Sequence, residues 1–255
     1  MTTVAIIQAR MGSTRLPGKV MLPLAASHVL THDVQRVSRA ETIDEVVVAT
    51  STKTADDIVA RYADRAGATV FRGSENDVLD RMFSAATEAS AETVVRITGD
   101  CPLIDPDVID AMVDRLDTEG VDYCSNTFER TFPRGLDAEV FTYESFEHVY
   151  ENAKEPHHRE HVTPYYREND GQFNLVSVTS EEIFDEPWMQ DRDDLRLTLD
   201  EADDYELLRE VYDQVEYDDI LPIQDAVSVI DDQDLQKLNA DVKQKQATNA
   251  SNHSS

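Results

Sequence analysis

The sequence predicts an α/β fold on a mixed, mostly parallel sheet, and three observations carry that prediction. Short runs rich in Val and Ile alternate with amphipathic stretches as far as Gly120, the βαβα pattern of a parallel sheet covered on both faces. After Gly120 the pattern loosens into further short strands and irregularly spaced helices, so part of the sheet is expected to be antiparallel. The chain has 255 residues, enough to bury one large core.

Taken in order, "TVAIIQA" is a buried strand followed by a basic loop. "SHVLTHDVQRVSRA" reads as a helix capped by Ser27, and "DEVVVAT" as the next strand. "ADDIVARYADRAG" is an amphipathic helix closed by Gly67, "ATVFRG" a third strand, and "NDVLDRMFSAATEAS" a third helix. "ETVVRITGD" is a fourth strand. In "DPDVIDAMVDRLDTEG", Asp105 is the N-cap, Pro106 opens the helix and Gly120 lies past its end. "VDYCSNT", "DAEVFT", "FNLVSVT" and "LRLTLD" read as the later strands. We expect a single domain over residues 1–240, with an α+β portion over about 121–195, and a polar, aperiodic tail at 241–255 that should be disordered. The N-x-S sequons at Asn249 and Asn252 fall in that Asn/Ser-rich tail, where chance accounts for them.

The chain carries 52 Asp and Glu against 23 Lys and Arg, a formal net charge of −29. Such a surface repels nucleic acid and anionic lipid. The acids are scattered along the chain, as in a protein kept soluble in a very salty cytoplasm; an acidic docking surface for a basic partner is the other reading, and stability measured from low to molar potassium chloride separates them. No apolar run approaches a membrane span. The apolar stretch at the N-terminus is short and precedes its arginines, unlike a signal peptide, so a cytoplasmic protein is expected. Cys101 and Cys124 are too few for a disulfide framework and read as small buried side chains.

Against this background one stretch is exceptional. The first acidic residue is Asp33, yet "AIIQARMGSTRLPGKVM" places Arg10, Arg15 and Lys19 among Gly12, Ser13 and Gly18, directly after the first strand. A loop leaving the C-terminal end of a parallel strand lies at the usual ligand edge of such a sheet. Its glycines admit backbone amides close to an anion, and its arginines can fork onto phosphate oxygens. The simplest ligand is a polyphosphate. The spacing matches neither the Walker loop, since five residues separate Gly12 from Gly18 and Val20 follows Lys19, nor G-x-G-x-x-G. A solvated loop whose arginines pair with surface carboxylates is the bland alternative.

A nucleoside triphosphate arrives with a divalent cation, so carboxylates are expected at the same edge. Asp100 follows a strand and the Gly99 bend, and Asp200 ends "LRLTLD" before a helix starting near Ala202. Two carboxylates with phosphate oxygens and water suit Mg²⁺. Asp105, Asp203 and Asp204 are explained by helix starts instead.

These stretches, "QARMGSTRLPGK", "RGSENDVLDR", "RITGDCPLID", "FPRGLDAEVF", "REHVTPY" and "LRLTLDEADDYELL", together resemble the nucleotide-sugar cytidylyltransferases, the group of the CMP-Kdo and CMP-acylneuraminate synthetases, and within it the branch of spore coat polysaccharide biosynthesis protein F. The resemblance covers nearly the whole chain to about residue 210. It implies a Rossmann-like GT-A fold, a homodimer, CTP and a sugar or sugar acid as substrates, and Mg²⁺. By similarity Arg10, Gly12, Ser13, Arg15 and Lys19 would bind the triphosphate, and Asp100 and Asp200 the metal. Arg72, Ser74, Asp77 and Arg81 would lie near the nucleoside, although Asp77 is equally explained as an N-cap. Thr98 stands at the phosphate turn, where the sialate and Kdo enzymes carry Gln. Arg134, Asp137 and Glu139 would face the acceptor sugar.

In "EPHHREHVTPYY", His157 and His161 are four apart, a spacing able to hold zinc. No Glu stands between them in the metalloprotease arrangement and no third ligand is evident, so packing or substrate-facing roles are favoured for Arg159 and His161. The expected reaction is transfer of CMP from CTP with release of pyrophosphate, Arg15 and Lys19 stabilising the leaving group. A metal-dependent GT-A glycosyltransferase is the first rival, though "GDCP" at Asp100 lacks the usual D-x-D. A catalytically inactive nucleotide-binding subunit is the second.

Overall fold

The computed structural model describes residues 1–243. Most of the tail expected to be disordered, with both sequons, lies outside the described residues. Seven strands form one sheet: β1 (Thr3–Gln8), β4 (Glu45–Ser51), β5 (Thr69–Gly73), β6 (Thr93–Thr98), β7 (Tyr123–Ser125), β8 (Glu139–Thr142) and β9 (Leu175–Ser177). Their spatial order is β5-β4-β1-β6-β8-β7-β9. The first four are mutually parallel, β8 runs antiparallel to both β6 and β7, and β9 is parallel to β7. This is the mixed, mostly parallel α/β sheet that the sequence predicts.

The apolar runs are continuous because both faces are covered. Ala5, Ile7, Val46, Val48, Val95 and Ile97 pack into one hydrophobic layer, and Val4, Ile6, Val47, Ala49 and Val94 into the other, as the two-residue period of a strand requires. The first layer holds α1 (Val29–Val37), α2 (Asp57–Arg65), α4 (Pro106–Glu119), α8 (Ala202–Gln214) and α9 (Ile223–Gln233). The second holds α3 (Val78–Glu88), α5 (Tyr143–Asn152) and the aromatic face of α7 (Pro164–Glu168); α6 (Pro156–His161) precedes α7. Helix α4 starts and ends as the sequence indicates: Asp105 accepts from the amides of Asp107 and Val108, and Gly120 is left-handed. Both cysteines are free and buried.

Two local expectations need correction. Ser27 does not cap α1. It pairs with Leu24 in a small antiparallel hairpin, β2 (Pro23–Leu24) and β3 (Ser27–His28), leaving His28 at the N-cap. The hairpin turns at Ala25, whose φ of 47° a sequence reading would assign to Gly or Asn. "LRLTLD" is extended but joins no sheet. Its sole bridge is Arg196 to Arg134. Instead it is laid between two loops: the Arg134 amide donates to the Leu195 carbonyl, and the Leu199 amide donates to the Asp100 carbonyl at 2.8 Å. Gly135 makes this contact feasible. Its φ is +108°, and a Cβ there would stand 2.6 Å from the Leu197 carbonyl carbon. The bond from Leu199 to Asp100 brings the next residue, Asp200, beside Asp100.

Candidate active site

The connection from β1 to β4 leaves β1 on one side, and β6 lies on its other side, so a crevice opens beyond their C-terminal ends. The basic loop occupies it. The amides of Ser13 and Gly18 both donate to the Met11 carbonyl, which coils the loop back so that Lys19 begins a short 3-10 turn. Gly18 is left-handed with φ 73°, and a Cβ would meet the Met11 side chain at 3.0 Å. The loop forms one wall of a cavity of about 500 Å³, open to solvent. Gln8, Arg10, Gly12, Ser13, Thr14, Arg15 and Lys19 contribute to it from this side. Thr98, Gly99, Asp100 and Asp200 add to the lining, as do Arg96, from the same strand as Thr98, and Arg81, Glu160 and His161. Gly99 is there because the turn presses on β1: a Cβ would stand 2.9 Å from the Ala9 Cβ and 3.0 Å from the Gln8 carbonyl oxygen.

At the centre, Lys19 Nζ donates to Asp100 Oδ2 at 2.5 Å and to Asp200 Oδ1 at 2.8 Å. One ammonium therefore spans two carboxylates that are 100 residues apart in the chain. Burial alone would lower the Lys19 pKa, but the charges of Asp100 and Asp200 outweigh it and hold the ammonium above its usual range. Burial would likewise raise Asp200, yet Lys19, Arg15 and Arg196 together pull its carboxyl below the usual range. Arg15 reaches Asp200 at 2.7 Å and Glu201 at 3.6 Å. Arg196 donates to Asp200 at 2.9 Å and, through Nε, to the fully buried side chain of Asp204 at 2.8 Å. Asp204 also accepts from the amides of Asp200 and Glu201. It thus does more than begin helix α8: it pins the turn that aims Asp200.

The donor set suits a hard divalent cation. Asp100 and Asp200 converge on one point that is occupied by a positive charge, and both accept there from the Lys19 side chain. Two carboxylates, with substrate oxygens and water completing an octahedron, match the chemistry of Mg²⁺ or Mn²⁺ better than that of a nitrogen- or sulfur-seeking metal. Behind them lies Asp33, on α1 and wholly buried. Burial pushes its carboxyl well above the usual range and the Asp100 charge adds to this, while Arg36, Lys19 and the Cys101 amide oppose it.

The other residues singled out from the sequence divide into those the cavity gathers and those it does not. Arg10, Gly12, Ser13, Arg81, Thr98 and His161 line it. Arg10 stands 3.8 Å from Glu75, which also pairs with Lys53. Arg81 is buried and donates to the Ser74 carbonyl; burial and the Arg10 charge lower its pKa to about 10. Arg72 lies away from the cavity, donating to the Ser51 and Lys53 carbonyls and to Asp57. Ser74 accepts from the Asp77 amide, and Asp77 caps α3 while holding Arg159 at 2.6 Å. Arg134 contributes backbone contacts to "LRLTLD"; Asp137 is paired with Arg130 at 2.8 Å. Glu139 is buried behind Arg96, which it binds together with Tyr123, so Arg96 rather than Glu139 faces the cavity. Burial would raise the Glu139 carboxyl, but Arg96 and the Tyr123 and Thr163 hydroxyls bring it below the usual range. Sequence reasoning passed over Gln8, Arg96, Glu160 and Arg196. Arg96 and Arg196 were findable in principle, as lone cations inside otherwise apolar runs; nothing marks Glu160 in so acidic a chain.

Residues 4–247 match a family model described as cytidylyltransferase. An uncharacterized protein of Methanocaldococcus jannaschii is 36% identical over 247 residues, covering 96% of this chain and 97% of its own. The spore coat polysaccharide biosynthesis protein SpsF of Bacillus subtilis is 36% identical over 212 residues, covering 81% and 85%. Among solved structures, a cytidylyltransferase from Leptospira borgpetersenii superposes with a TM-score of 0.86 at 35% identity, covering 96% of this chain and all of the other.

Proposed function

This chain belongs to the cytidylyltransferase family, and on that premise we propose that it transfers CMP from CTP to a hydroxyl of a sugar or sugar acid, releasing pyrophosphate, for surface polysaccharide or glycan synthesis. The observation that carries this reading is the Lys19 ammonium bridging Asp100 and Asp200 in the lining of a cavity that Arg10 and Arg15 also line.

In this reading the loop amides, Arg10 and Arg15 bind the triphosphate and hold its α-phosphorus over the floor of the cavity. Lys19 exchanges its carboxylate partners for phosphate oxygens as the nucleotide enters. Asp100 and Asp200, released from Lys19, would hold Mg²⁺, which would neutralise the α-phosphate and favour ionisation of the attacking hydroxyl. The acceptor lies toward Arg96, Glu160 and His161. Its oxygen forms a bond to the α-phosphorus as the bridge to the β-phosphate breaks in line, and the electron pair leaves with pyrophosphate. Arg15 and Lys19 neutralise the charge that develops there; positioning and electrostatics account for most of the acceleration. Arg196 and Asp204 act through Asp200 by fixing its direction.

Arg96 supports an anionic acceptor, since it presents a guanidinium to the cavity from a buried pair. The acidic surface fits work in a concentrated salt solution, and a homodimer is the expected assembly. The deciding experiment is pyrophosphate release with each of the four nucleoside triphosphates, against a panel of 2-keto sugar acids and neutral sugars. CTP-dependent release with one acceptor supports the reading. Nucleoside diphosphate release from a nucleotide sugar would replace it with a glycosyltransferase.

A further inference from the structure

The elbow between α6 and α7 holds a second group of metal-ligating side chains, remote from Asp100 and Asp200 in chemistry and in chain position. His157 Nε2 lies 2.9 Å from Glu168 Oε1, and His158 Nε2 lies 2.7 Å from Glu168 Oε2. The two imidazoles are consecutive in the sequence, with ring centroids 4.0 Å apart. Among the described residues this is the group of three His, Cys, Asp or Glu whose ligand atoms all fall within 4.8 Å of one another. His161, which the sequence spacing pairs with His157, is not part of it and faces the cavity instead.

We propose that His157, His158 and Glu168 form a site for a borderline transition-metal ion of the Zn²⁺ type, with water completing the tetrahedron. Two neutral imidazoles and a carboxylate are a donor set of that class, and one that Mg²⁺ does not favour. Around one tetrahedral ion, ligand atoms stand about 3.3 Å apart, given bonds of about 2.0–2.1 Å. The present nitrogen-to-oxygen separations need to open by about half an ångström, which a terminal carboxylate rotation provides. Two neutral imidazoles that each donate Nε2–H to one Glu168 oxygen give the same contacts without an ion, and metal titration separates the two accounts.

The exposure is graded as a metal site requires. The His158 side chain is 7% exposed and forms the back, while His157 at 29% and Glu168 at 49% form an accessible mouth. His158 Nδ1 is buried with no hydrogen-bond partner. A metal on Nε2 places the ring proton there without an acceptor, so the affinity should fall about 10–100-fold below that of a site with a supporting carboxylate. The ion would also sit on a strained joint. Val162, buried and β-branched, has φ 71° and ψ −62°, and the Thr163 amide closes a γ-turn on the His161 carbonyl at 2.9 Å. Binding would tie α6 to the far end of α7 across that turn, holding the helix that presents Glu160 and His161 to the cavity.

The test is Zn²⁺ titration calorimetry on chelator-stripped full-length protein with Mg²⁺ in large excess to occupy hard-cation sites, followed by Co²⁺ substitution and visible absorption. One equivalent of Zn²⁺ and the intense visible bands of tetrahedral Co²⁺ are expected. Glu168→Gln and His157→Ala, both at partly exposed positions, should each weaken Zn²⁺ at least tenfold, and Asp100→Asn should leave the equivalent intact. Unchanged Zn²⁺ affinity in both elbow variants, a weak octahedral Co²⁺ spectrum, or loss of the equivalent in Asp100→Asn would overturn the assignment.

Discussion

On the loop side of the cavity, Arg10, Arg15 and Lys19 come from one short segment and reach carboxylates on three others: Glu75, Asp100, and the adjoining Asp200 and Glu201. Away from the loop the cations come from separate elements, and each is held by a partner of its own. Arg96 is bound to Glu139 within the sheet, Arg159 to the Asp77 cap of α3, and Arg130 to Asp137. The difference lies in what the acidic partners are otherwise needed for. In the proposed reading Asp100 and Asp200 are the oxygens a metal would take, and pairing with Lys19 holds the two carboxylates convergent. Glu139 also binds the Tyr123 hydroxyl and sits behind the strand. Its pairing with Arg96 is buried, and it shapes the wall.

That contrast can be broken at several points. The largest effect is expected from Asp100→Asn: turnover should fall at least about 10²–10³-fold, as for loss of one electrostatic element of a transition-state clamp, while the urea midpoint stays close to wild type because Lys19 keeps Asp200. Pyrophosphate release within tenfold of wild type would remove the functional distinction between the two sides. Glu139→Ala should do the reverse. It leaves Arg96 charged and half-enclosed without its carboxylate, a change that costs about 3–5 kcal/mol for a buried pair, read as a lowered urea midpoint. A shift under about 1 kcal/mol would mean that the wall is not held by that pair.

Gly135→Ala tests whether the approach of "LRLTLD" to the loop at 133–136 is what aims Asp200. A left-handed non-glycine residue costs about 1–3 kcal/mol, and the 2.6 Å contact with Leu197 adds to it. Turnover should fall further than the stability loss accounts for, measured well below the unfolding temperature. Parallel loss of the two would show the contact to be structural only.

The smallest effect concerns pH. The Asp200 carboxyl lies below its ordinary value of 3.8 when folded. Its contribution to stability is therefore present above that value and disappears as the pH falls through the folded one. Lys19, raised above 10.5, contributes below that value and loses its share as the pH rises through the folded one. Asp200→Asn should flatten the stability profile below about pH 4 and, through Lys19, above about pH 10.5, with no change of slope between pH 5 and 8. A flattening near neutrality would contradict the pairing.

The parallel half of the fold was legible because its rules are local. Apolar runs of β-branched residues between amphipathic stretches can only become buried strands between helices, and Asp105, Pro106 and Gly120 mark a helix at both ends without help from elsewhere. Where expectation and structure part, the deciding contact is not local. The hairpin at Ala25 lacks the usual turn residues, so nothing near Ser27 separates a strand from a helix cap. Alternation in "LRLTLD" indicates an extended segment but not what it pairs with. Asp77 and Arg159 pair with each other across 82 residues, a partnership that no local spacing announces.

By itself the sequence determined the parallel sheet, the cationic loop at its edge and the two aspartates suited to a divalent cation, since each rests on residue type and near-neighbour spacing. Tertiary structure alone decided that one lysine joins those aspartates, that Arg96 rather than Glu139 meets the cavity, and that His157 turns to His158 and Glu168 instead of His161. Those choices depend on which distant backbone segments touch, and a side chain's partner is set by that contact and not by its position in the chain.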